Sequence, residues 1–215
     1  MTWSRIESWF AAHRPDLRLG LRPPATDAQL DEAERTLGVR FPADFRGAYL
    51  EHDGQQDAPQ VYVLPYVQRI GSLASLTKCW QDDAPYRDDA ALAETSGLLD
   101  EEGRVRQVYL HPGHIPFAGS PHWDYDRLCL DHAPGPGGSD GQVIARVDID
   151  LVYVAPSLGA LLDAIAGGLA DGTIEVSDAG DRHELLFVTP EGKEPIPSST
   201  WWAERAKKAP PQAGG

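Results

Sequence analysis

Short amphipathic stretches separated by turn signals run through most of the chain. Trp3, Ile6 and Phe10 recur at helical spacing, which predicts a helix over residues 3–13. After a connector between Pro15 and Pro24, Thr26 stands as an N-cap and Gln29 completes a capping box. Leu30, Ala33 and Leu37 share one face of the helix that follows, and Gly38 ends it. Pro42 marks the first turn of the next helix, which turns Phe45 and Tyr49 inward and stops at Asp53-Gly54. Residues 60–67 read as a strand weakened by Pro65. Ser72 caps a further helix carrying Leu73, Leu76 and Trp80. Residues 81–102 are acidic and irregular, with a short helix expected near 88–95.

The second half changes period. Strands are expected at 105–110, 127–131, 142–147 and 151–155, with a glycine-proline turn over 134–141 and another turn near Asp148-Ile149-Asp150. Ser157 caps a last helix that buries Leu158, Leu161, Leu162, Ile165 and Leu169. Strand-like runs follow at 174–176 and 184–189, with a turn at Glu191-Gly192. Helices first, then adjacent short strands, then a helix predict an α+β fold rather than alternating α/β. Residues 1–172 are expected to form one α+β domain. Residues 173–206 form a C-terminal extension that either completes the sheet or makes a separate flap. Residues 207–215 read as a disordered tail.

Composition narrows the function. The 215 residues are 41% hydrophobic and 24% charged, an ordinary globular balance. The formal net charge of -14 disfavours nucleic acid or an anionic membrane as direct partner, since both are polyanions. It favours a basic partner, or simply keeps the protein soluble. Two cysteines, Cys79 and Cys129, define no disulfide framework. Charges near the N-terminus exclude a signal peptide there, and no run approaches the ~18 apolar residues of a membrane span. A cytoplasmic protein is expected. The strong preference for Arg over Lys, with abundant Ala, Gly and Pro, points to a GC-rich, bacterial source.

Candidate chemistry is sparse. His111, His114, His122 and His132 cluster with Cys129 and Asp131, but Pro112 breaks any helical presentation of a metal-binding pair, and no metal or other cofactor is expected. The run from Gly135 to Gly141 is glycine-rich without the Lys-Ser/Thr ending of a phosphate cradle, so it reads as a turn. Asp124 and Asp126 flank Tyr125 without an activated nucleophile nearby, which favours a binding surface over acid–base catalysis. No Gly-x-Ser-x-Gly elbow occurs. Both cysteines sit among apolar neighbours, as packing residues do. Tryptophans beside acids, Trp123 above all, are what a binding hot spot uses.

Residues 25–54 carry an acidic helix ending in Leu37-Gly38, a proline and aspartate (Pro42, Asp44) opening a second helix, and an Asp53-Gly54 stop. Ile115-Pro-Phe-Ala-Gly119, Leu128-Cys-Leu-Asp131, the turn and strand from Gly138 to Ile144, and Val154-Ala-Pro-Ser157 before a helix follow in order. Together these blocks, over Trp3 to Ala170, resemble the SUKH superfamily in its Smi/Knr branch. His114 stands where that family commonly has Trp, and residues 171–215 lie outside the pattern. The resemblance implies a curved, mostly antiparallel sheet flanked by helices, and no catalytic residues. Bacterial members look like immunity proteins of polymorphic toxin systems, including contact-dependent and type VI secretion toxins. Fungal relatives are regulators of cell-wall synthesis.

The expectation is therefore a non-enzymatic immunity protein that occludes a cognate, basic toxin, with a nuclease as one candidate. A regulatory scaffold for an endogenous protein ranks second and an unrecognised hydrolase third. The residues expected to meet the partner are Asp53, Asp57, Trp80, Asp82, Asp83, Trp123, Asp124, Tyr125 and Asp126.

Overall fold

The structure, a computed structural model, describes residues 3–64, 68–87, 102–120, 126–147, 150–177, 182–189 and 192–195. The α+β expectation holds. Three helices open the chain: α1 (Ser4–His13), α2 (Asp27–Leu37) and α3 (Ala43–Glu51). Two short strands, β1 (Val61–Tyr62) and β2 (Arg69–Ile70), precede α4 (Leu73–Asp83), which runs into a 3-10 turn over Ala84–Tyr86. Four strands follow: β3 (His114–Gly119), β4 (Arg127–Asp131), β5 (Gln142–Val147) and β6 (Asp150–Ala155). Helix α5 (Leu158–Asp171) then leads to β7 (Ile174–Val176), β8 (His183–Thr189) and β9 (Gly192–Pro195).

The helix boundaries come from local chemistry. Thr26 and Gln29 form the full capping box of α2, and Gly38 closes it at φ 71°. Ser72 accepts from the Ser75 N–H at the start of α4, and Ser157 from the Ala160 N–H at the start of α5. Gly54, at φ 70°, must be glycine for a second reason: a Cβ there would collide with the Gly71 carbonyl.

Strands β2-β3-β4-β5-β6 form an antiparallel sheet in that order. Alternation sorts its side chains by face. Leu128 and Leu130 of β4, Val143 and Ala145 of β5, and Val152 and Val154 of β6 join the main core under the helices. Cys129, Ile144 and Leu151 face the other way and are covered by Val105. Helix α4 packs on β3, while α5 touches β5, β6 and β7 and carries α1 and α3.

A second sheet departs from the single-sheet picture. Strand β8 pairs in parallel with β1 and antiparallel with β7 and β9. Ile174, Leu185 and Phe187 enter the same core as Phe45 and Leu162. The strand expected over 60–67 is reduced to Val61–Tyr62 plus an isolated bridge between Leu64 and Gln68. Residues 105–110 form no strand. Just before them, the Arg104 carbonyl is taken by the Gly135 N–H and the Gln142 side chain, and Val105 packs singly on the outer face. The helix expected near 88–95 and the tail from 207 lie outside the described residues.

Candidate functional site

Sequence reasoning proposed no catalytic centre; of the alternatives it weighed, Asp124 and His122 lie outside the described residues. His114 and Asp131 come together, with Nε2 and Oδ1 3.5 Å apart and both side chains buried. Burial, reinforced by His111, Arg146 and Arg106, drops the His114 pKa to about 3, so the pair is a neutral imidazole beside a carboxyl. Burial also pushes Asp131 up, against the Ala133 N–H and the Gln142 amide that it accepts at 2.8 Å each. His111 Nδ1 accepts from the Gly113 N–H at 3.0 Å, which leaves the proton of a neutral ring on Nε2 and that nitrogen without a lone pair for a metal. Among the described residues no group of three or more His, Cys, Asp and Glu side chains is arranged to hold a metal ion.

The glycine run has a packing explanation. Cβ atoms on Gly135, Gly137 and Gly138 would strike the carbonyls of residues 102–104. The N–H groups of Gly135 and Gly137 donate to Arg104 and Gly103, so they are not free to cradle an anion. Burial raises the thiol of Cys79 to about 12 and of Cys129 to about 11, which keeps both protonated and unreactive.

The residues expected at a partner surface divide by what they already touch. Asp53 Oδ1 accepts from the Leu73 N–H at 2.8 Å and so holds the start of α4, with Arg22 3.6 Å from its other oxygen. Asp83 is the anchor of the other end: it accepts two bonds from Arg127 and one from Arg146, at 2.8, 2.9 and 3.1 Å. Asp57 is exposed and pairs with the buried Arg69 guanidinium at 2.9 Å. Asp82 is exposed and pairs along the helix with Lys78. Trp80 is half-buried, and its Nε1 donates to the Pro112 carbonyl at 2.8 Å. Asp126 precedes β4 and is half-buried, with contacts of its own. Trp123, Asp124 and Tyr125 lie outside the described residues.

The structure does not gather these residues on one face of α4: Asp53, Lys78 and Gln81 line its side toward α2, whereas Trp80 turns to Pro112 and Asp83 to Arg127 and Arg146 of the sheet. Between the α2-facing side of α4 and α2 runs a groove of about 540 Å³, lined among others by Ala28, Ala33, Thr36, Ala74 and Thr77. Two residues that sequence reasoning missed complete the end of α4: Tyr86, 57% exposed, and Arg87, whose guanidinium lies 4.0 Å from the centre of the Trp80 ring. Their signal in the sequence was the Trp-Tyr-Arg composition within eight residues, a hot-spot composition.

A family model matches residues 24–164, from the residue before α2's approach to the middle of α5. The chain belongs to the SMI1 / KNR4 family (SUKH-1). Family relatives align with almost the whole chain. A KNR4/SMI1 homolog of Eremothecium gossypii is 40% identical, over 91% of this chain and 40% of its own length. A KNR4/SMI1 homolog of Yarrowia lipolytica is 28% identical, over 89% of this chain and 33% of its own. The cell wall assembly regulator SMI1 of Saccharomyces cerevisiae is 25% identical, over 91% of this chain and 46% of its own. The chain therefore spans less than half the length of these SMI1 / KNR4 relatives. Among the described residues, no helix is long and apolar enough to cross a membrane.

Proposed function

We propose that this chain is a regulatory protein-binding module, one that acts by docking on another protein and performs no chemistry of its own. The observation that carries this reading is the family match over residues 24–164, together with relatives named as regulators of cell wall assembly and glucan synthesis. The physical case agrees with it. The described polar groups that converge inside the protein are neutral or internally paired, while the exposed charge of α4, Lys78 and Asp82, lies on its outer side. In this reading Asp82 meets the partner, Trp80, Asp57 and Asp126 border the surface, and Asp53 and Asp83 hold α4 in position. Trp123, Asp124 and Tyr125 extend the proposed surface in sequence.

Capture on the purified full chain from an extract of its own source, with mass spectrometry, tests the proposal. One protein enriched over a control chain, together with a growth defect on deleting the gene, is the expected outcome. Turnover of a substrate by the isolated chain, or no enrichment of any protein, would count against it.

A second reading, neutralisation of a basic toxin, is supported by the charge distribution. Residues 1–87 hold 12 acidic and 10 basic side chains, whereas residues 88–215 hold 21 and 9. Such an excess steers a basic partner toward the second half of the chain. This reading requires that the captured protein be toxic alone and harmless when co-expressed with this chain. A non-toxic partner excludes it and leaves the regulatory reading in place.

A further inference from the structure

Helix α1 and the chain that leaves it enclose a cleft. The Leu17 N–H donates to the Arg14 carbonyl at 3.0 Å and turns the chain back after α1. The two arms then lie side by side, because His52 reaches both. Its Nε2 stands 3.4 Å from Glu7 Oε1 of α1, and its Nδ1 stands 3.0 Å from the Arg22 carbonyl oxygen. The cleft between the arms has a volume of about 640 Å³. Phe10 and Ala11 line it from α1, and Leu17, Leu19 and Leu21 line it from the returning arm. Its ends differ in charge: Arg14, paired with Asp16, and Arg18 stand at the turn, and Glu7 stands at the far end.

The returning arm carries main-chain groups that are not in use. Leu21 forms an antiparallel bridge with Gln55, made by the Gly20 carbonyl and the Arg22 N–H. Neighbouring residues of an extended chain turn their main-chain groups to opposite edges, so the N–H and C=O of Leu21 belong to the outer edge. Among the described residues neither takes a hydrogen bond, and the same holds for the Leu19 N–H and the carbonyls of Leu17 and Arg18. Leu19 is buried all the same. Unused N–H and C=O groups along an extended chain are a template for another extended chain. The groove between α2 and α4 differs, because the main chain of a helix is bonded within itself and offers an extended backbone nothing.

We propose that this cleft docks an extended segment of a partner protein, which adds as a strand along residues 19–21 and sets an Asp or Glu toward Arg18. This rests on the protein-binding reading above and gives it a place and a chemistry. Main-chain bonds supply affinity, while the apolar lining and the charge difference between the ends supply choice. Successive side chains of a strand alternate between its two faces. The docked segment therefore carries apolar residues at every second position, with its acid at the Arg18 end.

The test selects a phage-displayed library of random peptides on the purified full chain. The selected peptides are expected to share alternating apolar residues and an Asp or Glu at one end. Each main-chain N–H of a selected peptide is then methylated in turn. Affinity is expected to fall about tenfold at every second residue and little at those between, as loss of one hydrogen bond does. Ala11→Arg, at an exposed position of α1 in the cleft, is expected to abolish binding without lowering the melting temperature. Ala74→Arg, exposed in the α2–α4 groove, is expected to leave binding unchanged. Binding that survives Ala11→Arg or is lost in Ala74→Arg overturns the proposal. So does a consensus at helical spacing or without an acid, indifference to every methylation, or a selection that yields no binder. A second copy as occupant, seen as a dimer in sedimentation that Ala11→Arg dissociates, also overturns it. Capture from the source extract separates the cleft from the broader reading. A partner held equally by the parent and by Ala11→Arg overturns the cleft and leaves the protein-binding reading standing. No partner held by the parent removes that reading as well.

Discussion

His114 shows what one residue contributes when its polar atoms are enclosed without partners. Both ring nitrogens are buried and lack hydrogen-bond partners, and the nearest carboxyl, on Asp131, is already bonded elsewhere. Such a group is costly to bury, and charging it costs more. In the unfolded chain the imidazole titrates near ~6.5, and in the folded protein near about 3. Between these values the unfolded chain binds a proton that the folded one does not. The stability is therefore whole above the unfolded value and falls as the pH drops toward the folded one. Asp131 acts in the opposite sense, because its raised pKa lets the folded state keep a proton the unfolded state has lost. The prediction is thus a difference between proteins. His114→Phe should match or exceed the parent in urea stability at neutral pH. Between pH 6.5 and 4 its stability should fall less steeply, by up to about 1.4 kcal/mol per pH unit. Parallel profiles for the two proteins would show that His114 carries no such penalty.

At the scale of elements, Asp83 decides how α4 meets the sheet. It lies one residue from Asp82, yet the two carboxylates do different work. Asp82 is 62% exposed and pairs within the helix, whereas Asp83 is 16% exposed and bonds Arg127 of β4 and Arg146 of β5. Removing the buried partner leaves the Arg146 charge enclosed beside Cys129, a loss of about 3–5 kcal/mol. Asp83→Asn should lower urea stability by that order, and Asp82→Asn by less than ~1 kcal/mol. Equal effects would mean that the cluster does not tie α4 down. The same contrast explains what could be read from the sequence. Thr26, Gly38, Ser72 and Ser157 act within a few residues of themselves, so the helix ends were legible. Strands β4 and β5 were legible as short apolar runs, Leu128–Leu130 and Val143–Ala145, bounded by polar residues and a glycine-rich turn. Two-residue β2 has no period, and the pairing of β1 with β8 joins residues more than 120 apart. The different roles of Asp82 and Asp83 were equally hidden, because Arg127 and Arg146 are 44 and 63 residues away. The block Ile115–Gly119 that carried part of the family resemblance is β3, whose Pro116 breaks the usual strand signal.

Across the whole molecule, the core and the charge follow different divisions of the chain. The acidic surplus lies almost wholly after residue 87, but the apolar cluster runs from Trp3 to Phe187 without a break. Because α5 packs on β5, β6 and β7, the small sheet shares its support with the large one. Phe187 is 1% exposed, pairs with Ile174, and belongs to the cluster that holds Phe45 and Leu130. Truncating such a ring removes about 3–5 kcal/mol. If the core is one cooperative unit, that loss is felt everywhere at once. Phe187→Ala should shift a single urea transition by this amount. It should also speed hydrogen exchange at the Leu130 amide, in the middle of the large sheet, by the same free energy as at Leu185 beside the substitution. Faster exchange confined to Leu185, with Leu130 unchanged, would mean that residues 174–195 open on their own.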